Sequence, residues 1–525
     1  MSEDAHERTE RGARLIGAGI IISRLLGVVR QWLFTHFLGS GMQTDAYNNA
    51  VKVPNALRNL LGEGAISASF VPVYAAALER GDEQGARALA NALLGVLLVG
   101  VSLLTIAGIA LAPQLTAVLA AGFDAERAAL CSKLMQVMFP MTGLMVLSGW
   151  CLGVQNAHHR FFMAYASGAM WSIAQIALLL VAGPSTSDLT TLVWWVSWAT
   201  VVGAVLQISA QIPQVMRLMK SVRPTLQLST PGLRQTLRNF VPVVAALGLF
   251  QISSFIDMQI ASFLTVGAPT NLQYATNIYL LPLSLFGIAT AAAALPQMAR
   301  ETARGQTSSL TEGLSRAWER VLFYTIPSAV AFIGIGDAIV DVLTGRGKFS
   351  LQDRHVVHVT LAALGVGLVA YASSRLLTSS YQATGNYRRP FVSAAWAIAV
   401  STVVSIALAI PFREHPLAVA GLAGGAALGA FVNFTMLWKG VHAQIGVVDV
   451  SGPLSIARRT LLVSLIAVAP GIAVHLALPD LRWQGNSILT ILTYCAAFLV
   501  AAKLARLAEA ERMLAAVARR FSRRG

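Results

Sequence analysis

Two arginines, Arg24 and Arg30, lie in the first long apolar segment of this chain, and Lys52 and Arg58 follow in the second. A charge near a bilayer centre costs about 2.5–3.5 kcal/mol on insertion scales, so such residues face a water-filled cavity or a partner. Only two carboxylates, Asp45 and Glu63, lie close to these four cations in the sequence. The surplus positive charge calls for an anionic ligand. Guanidinium forks match phosphate oxygens in bidentate geometry and stay charged in poorly solvated sites. A diphosphate suits them better than a neutral sugar or a cationic drug.

The second segment is polar throughout. On a helix of 3.6 residues per turn, Asp45, Asn49 and Lys52 share one face, with Asn48 and Asn55 flanking it and Arg58 further round. Pro54 interrupts that helix and releases backbone groups, which membrane helices tolerate where neighbours or water satisfy them. A segment of this kind is expected to line an aqueous cavity. Snorkelling to the interface, or pairing with Asp45 or Glu63, is the plainer account of Lys52 and Arg58. Further along the chain, Gln251, Asp257, Asn277 and Arg375 are the polar candidates within apolar segments. Asp257 could bind a coupling cation or proton, or pair with an arginine.

The elements that position these residues follow from composition. The chain has 525 residues, 55% hydrophobic and 12% charged, with a mean hydropathy of +0.63. Soluble proteins are about 25% charged, so an all-α polytopic membrane protein is expected. Residues 88–123, 161–187, 189–216, 258–299 and 460–479 carry no Asp, Glu, Lys or Arg. Their lengths suit spanning helices, and nothing shows the ten-residue alternation of a membrane β-barrel. About fourteen spans are expected, near 13–38, 43–62, 88–112, 129–156, 161–183, 189–216, 238–264, 272–298, 318–343, 357–383, 391–411, 416–438, 458–478 and 485–505. A short helix near 65–78 follows the second.

Most of the 39 Lys and Arg residues fall on one side of these spans when the N-terminus is placed in the cytoplasm. That bias predicts cytoplasmic N- and C-termini. The net charge of +15 therefore reflects topology and requires no nucleic-acid partner. The basic tail could touch anionic head groups. No cleavable signal peptide is expected, because residues 1–11 are charged and no small-residue cleavage site follows. The three cysteines lack metal or disulfide spacing. His355 and His358 have a metal-compatible spacing but no third ligand, so neither metal nor cofactor is expected. No catalytic constellation is visible.

The longest hydrophilic connection, about 217–237, divides the chain. Weak similarity relates Lys52-Val53-Pro54 to Leu280-Leu281-Pro282, and Phe70-Val71-Pro72 to Ala294-Leu295-Pro296. A parallel repeat of six-helix halves is expected, 1–222 and 223–442, with two further helices and a basic tail over 443–525. Repeat transporters place their substrate between such halves. Gly421, Gly425 and Gly429 recur at a spacing that lets helix backbones approach closely.

Ser23-Arg24-Leu25-Leu26-Gly27 through Arg30, Thr44-Asp45-Ala46-Tyr47, Lys52-Val53-Pro54-Asn55 through Arg58, and Gly62-Glu63-Gly64-Ala65 with Phe70-Val71-Pro72 form a signature. It resembles the MurJ (MviN) lipid II flippases. Gln251-Ile252-Ser253, Arg346-Gly347-Lys348-Phe349 and the Tyr381–Pro390 segment extend the resemblance end to end. The resemblance implies a fold of the multidrug/oligosaccharidyl-lipid/polysaccharide exporter type and alternating access. It also implies carriage of lipid-linked peptidoglycan precursor across the inner membrane, with possible cell-wall synthesis partners. The essential cationic positions it implies are Arg24, Arg30 and Arg58, with Asp45, Lys52 and Glu63 in the motif. The chain departs from the pattern at Tyr274-Ala275-Thr276-Asn277, where many members carry an acid and an arginine, and at Gln31, where an aspartate is common. Three rival readings remain: a flippase for another polyprenyl-diphosphate oligosaccharide, a cation-coupled drug exporter, and a non-transporting envelope scaffold.

Overall fold

The computed structural model describes residues 23–344, 347–478 and 485–513, without the side chains of Glu63 and of residues 245–247, 249 and 250. The described residues are overwhelmingly helical and contain no strand. Among the described residues, eleven helices are long and apolar enough to cross a membrane, or twelve if one sharply bent pair counts as a span. Where the expected spans fall on described residues they lie on helices, and residues 13–22 of the first lie outside the described residues. The chain divides into two compact units, one of 1–262 with 347–349 and one of 263–346 with 350–525.

The first unit begins with α1 over 23–38, followed by α2 (Met42–Leu61), α3 (Glu63–Ser69) and α4 (Val71–Glu79). Then come α5 (Glu83–Leu119), α6 (Ala125–Ala157), α7 (Phe161–Ala166), α8 (Ala169–Ala182), α9 (Leu189–Met219) and α10 (Leu233–Ser262). Acidic N-caps start three of them. Asp82 accepts from the Gly85 amide, Asp124 from that of Arg127, and Asp188 from those of Thr190 and Thr191. Each satisfies helix donors that lack an intrahelical partner.

Helix α6 is the centre of this unit and packs against α2, α3, α5 and α9. One apolar cluster joins α1, α2, α6 and α9 through Phe34, Tyr47, Met138 and Val193. A second joins α3–α6 through Ile66, Phe70, Leu89 and Trp150. Pro54 has no N–H to close the helical bond inside α2, and its own carbonyl accepts from the Thr142 hydroxyl of α6 at 3.2 Å. α1 ends at Gly39, whose φ is +66°. A Cβ there would stand 2.5 Å from the Lys348 carbonyl oxygen, because the 347–349 strap lies against it and Lys348 N donates to His36 O at 2.9 Å. Arg346, the first residue of that motif, lies outside the described residues.

The second unit contains α11 (Ala268–Pro282), α12 (Ala289–Ala303), α13 (Thr307–Gly334), α14 (Gly336–Thr344) and α15 (Leu351–Ala383). It continues with α16 (Arg388–Ala409), α17 (Ala418–Ile445), α18 (Ser451–Ala477) and α19 (Gly485–Leu504). A π-helical turn at Leu283–Ile288 follows Pro282 inside a span that stays continuous from Ala268 to Ala303. One expected continuous span is broken. The expected 318–343 span bends by 87° between α13 and α14. Gly336 lies at that bend with its Cα face on His358, so that a Cβ would reach 2.6 Å from the ring.

The glycine repeat of α17 is a packing surface. A Cβ on Gly421 would meet the α16 backbone at Leu408 (2.9 Å), one on Gly425 the Ser405 hydroxyl (2.2 Å), and one on Gly429 the Ala397 carbonyl (2.8 Å). α18 and α19 pack on α13 through Phe323, Ile335, Tyr494 and Phe498. The Tyr494 hydroxyl caps this contact by donating to Pro327 O at 2.8 Å.

Candidate functional site: an arginine pair on one tryptophan

Helices α1, α2 and α8 bring two of the sequence candidates to one aromatic ring. The Arg30 Cζ lies 4.8 Å from the Trp171 ring centroid. The Arg58 Cζ lies 5.2 Å from it. Each guanidinium lies within range of the other's charge. The aromatic quadrupole attracts both cations while adding no negative formal charge.

A buried polar network fixes Arg30 from its other side. Arg30 Nη1 donates to Gln175 Oε1 at 3.4 Å. Gln175 Nε2 donates to the Tyr47 hydroxyl at 2.9 Å and to Thr200 Oγ1 at 2.6 Å. Thr200 spends its own proton on Val196 O at 2.9 Å, which leaves it an acceptor for Gln175. With both amide protons given to hydroxyls, the amide oxygen must face the guanidinium; the reverse orientation would set donors against donors.

Lys52, on α2, is half-buried, and its charge is felt by Asp257 of α10. Asp257 is half-buried too. Asp45 goes elsewhere: its Oδ2 lies 3.6 Å from Arg127 Nη1 of α6, with the two side chains 0% and 8% exposed. Arg127 also pairs with Asp124 at 3.0 Å. Asn55 is half-buried, and its Oδ1 atom is buried without a hydrogen-bond partner among the described residues. Gln251 is half-buried in α10. Arg24 is exposed near the start of the described part of α1 and forms no ion pair among the described residues. The Glu63 side chain lies outside the described residues.

The second unit holds its own polar group. Arg375 Nη2 donates to the Tyr371 hydroxyl at 2.6 Å, and its Cζ lies 5.0 Å from that ring's centroid. Tyr279 meets Tyr371 edge to face at 6.4 Å. Asn277 accepts from Gln273 Nε2 at 2.8 Å, one turn away on α11.

A family model described as lipid II flippase MurJ matches residues 34–494. This chain belongs to that family. A Rhizobium tropici protein named "Probable lipid II flippase MurJ" is 33% identical over 485 residues, covering 90% of this chain and 89% of its own. A solved structure titled "Lipid II flippase MurJ, inward closed conformation" superposes with a TM-score of 0.76 at 21% identity, covering 93% of this chain and 98% of that one. An inward-facing multidrug resistance MATE transporter of the MOP superfamily reaches 0.66 at 15% identity, over 83% and 95%. At these identities the two solved structures speak for the fold.

Within this MurJ-family fold, sequence reasoning missed Trp171, Gln175 and Arg127. Trp171 and Gln175 stand one helical turn apart in a charge-free stretch that reads as lipid-facing. The signal was the i, i+4 spacing of an indole and an amide on one face. Arg127 carried a signal as well, since it lies just before the sixth helix's apolar run and could reach a buried carboxylate.

Proposed function

We propose that this chain flips lipid II, the lipid-linked peptidoglycan precursor, from the inner to the outer leaflet of the bacterial cytoplasmic membrane by alternating access. The observation that carries this reading is the convergence of Arg30 and Arg58 on Trp171 in a chain of this family. An anion between two guanidiniums relieves their repulsion and accepts bidentate hydrogen bonds from each. A diphosphate offers enough oxygens for both.

In this reading Arg30 and Arg58 hold the diphosphate, and Arg24 meets it at the entrance. Lys52 and Asn55 of α2 and Gln251 of α10 add polar contacts to the substrate, with Glu63 and Asp45 in the same motif as the arginines. Asn277 and Arg375 serve the second unit. Asp257 is the candidate for ion coupling through its charge partner Lys52. The moving halves are 1–222 and 223–442, and 443–525 is an appendage whose helices guide the polyprenyl tail. Both termini are cytoplasmic, which reporter fusions in the 217–237 loop and at Gly525 would test.

The deciding experiment is complementation. A strain depleted of its own lipid II flippase should grow when this chain is expressed. Lack of growth despite normal membrane levels would overturn the assignment in favour of another polyprenyl-diphosphate cargo or a binding scaffold.

A further inference from the structure

Two like-charged side chains on different helices need a reason to stay together. Left alone, Arg30 and Arg58 would swing apart, since arginine carries many rotamers and like charges repel. An indole holds cations through its quadrupole and leaves the formal charge intact.

The ring is itself held in place. Trp171 packs on Met141, Met145 and Ala204. Its backbone lies directly on Gly203 of α9, where a Cβ would stand 2.8 Å from the Trp171 Cα and 3.1 Å from Cδ1. That contact seats the Trp171 backbone and the Cδ1 edge of its ring against α9. Its Nε1–H is buried and has no hydrogen-bond partner among the described residues. An unpaired buried donor of this kind is costly to keep. Gln175, one turn on, gives Arg30 its second hold.

We propose that Trp171 is a positioning residue for the substrate diphosphate: its indole clamps Arg30 and Arg58 into one anion site, with Gln175 locking the Arg30 side. This rests on the diphosphate reading of the arginine pair and adds the residue that builds the site. Phenylalanine keeps an aromatic face but weakens the cation contact and removes the N–H. Leucine keeps bulk and removes both.

The test uses the full-length protein in detergent, with undecaprenyl diphosphate and undecaprenyl monophosphate as probes in native mass spectrometry, and a thermal melt of each variant alongside. Trp171→Leu should lower diphosphate retention about tenfold and collapse the preference over monophosphate, while its melt falls with the packing it loses. Trp171→Phe should fall in between, with a melt near wild type. Gln175→Leu should cost severalfold. If Arg30→Ala and Arg58→Ala themselves keep the diphosphate preference, the underlying reading fails whatever Trp171 does. If those two lose it while Trp171→Leu stays within about twofold of wild type, the positioning role is wrong. A Phe variant as impaired as Leu, with both melts lowered, would make Trp171 a packing residue only. Should Trp171→Leu not fold, Trp171→Phe and Gln175→Leu decide: two wild-type preferences overturn the proposal, and two reduced ones sustain it.

Discussion

Asp45 and Arg127 face each other across α2 and α6, 3.6 Å apart and almost wholly buried. Asp45 belongs to the polar face that the sequence assigns to a cavity, yet its charge is directed into the helix pair. Taking one member from a buried ion pair leaves the other desolvated, which costs about 3–5 kcal/mol. Arg127→Ala should therefore lower the melting temperature and the membrane abundance of the protein. Asp124→Ala removes the exposed partner and the α6 N-cap, so its cost should be nearer ~1 kcal/mol. Thermal melts of the two variants side by side check the ordering.

The arginine pair makes a different prediction. Arg30→Lys and Arg58→Lys keep the charge but replace a planar fork with a point charge. Each should reduce complementation with normal protein levels, because a charge-assisted hydrogen bond contributes about 1.5–3 kcal/mol, or roughly tenfold to a hundredfold in binding. Arg24 is exposed, so Arg24→Lys should be better tolerated. Equal growth of all three lysine variants would argue that charge alone matters.

The α16–α17 contact can be tested with two adjacent glycines. A Cβ on Gly425 would meet the Ser401 carbonyl and the Ser405 amide at 2.7 Å, whereas on Gly424 the nearest atom is the flexible Leu408 Cδ1 at 3.4 Å. Gly425→Ala should destabilise by about 1–3 kcal/mol through overpacking. Gly424→Ala should be close to neutral. A thermal melt in which the two behave alike would mean that the helices separate easily.

His158, just beyond the end of α6, supplies a pH dependence. Its Nε2 lies 3.1 Å from the Tyr74 hydroxyl. Burial holds its pKa below the usual 6.5, with smaller opposing help from the Glu83 charge. The unfolded chain binds this proton more readily, so the contribution to stability is complete above about pH 6.5 and is lost as the pH falls through the folded value. Melting temperatures measured from pH 7.5 downwards should drop in wild type, and the drop should be shallower in His158→Gln. Parallel curves would show that other groups set the acid limit.

Some of this was legible in the residues themselves. Stretches such as 88–123 and 189–216 lack any charge, and long apolar runs can satisfy their backbone in a bilayer only as helices. The spacing of Gly421, Gly425 and Gly429 already described a surface for close helix approach, since periodicity on one helix is a local property. The cations at 24, 30, 52 and 58 stood out because charge in such segments is expensive. Partnership between helices was not legible. Nothing in the chain order says that α8 brings Trp171 and Gln175 to Arg30, or that α6 brings Arg127 to Asp45. Those choices depend on which helices become neighbours and which face each one turns, and in this chain they follow from close contacts such as Trp171 on Gly203. Local periodicity fixes a helix and its faces; only the packed structure decides what each face meets.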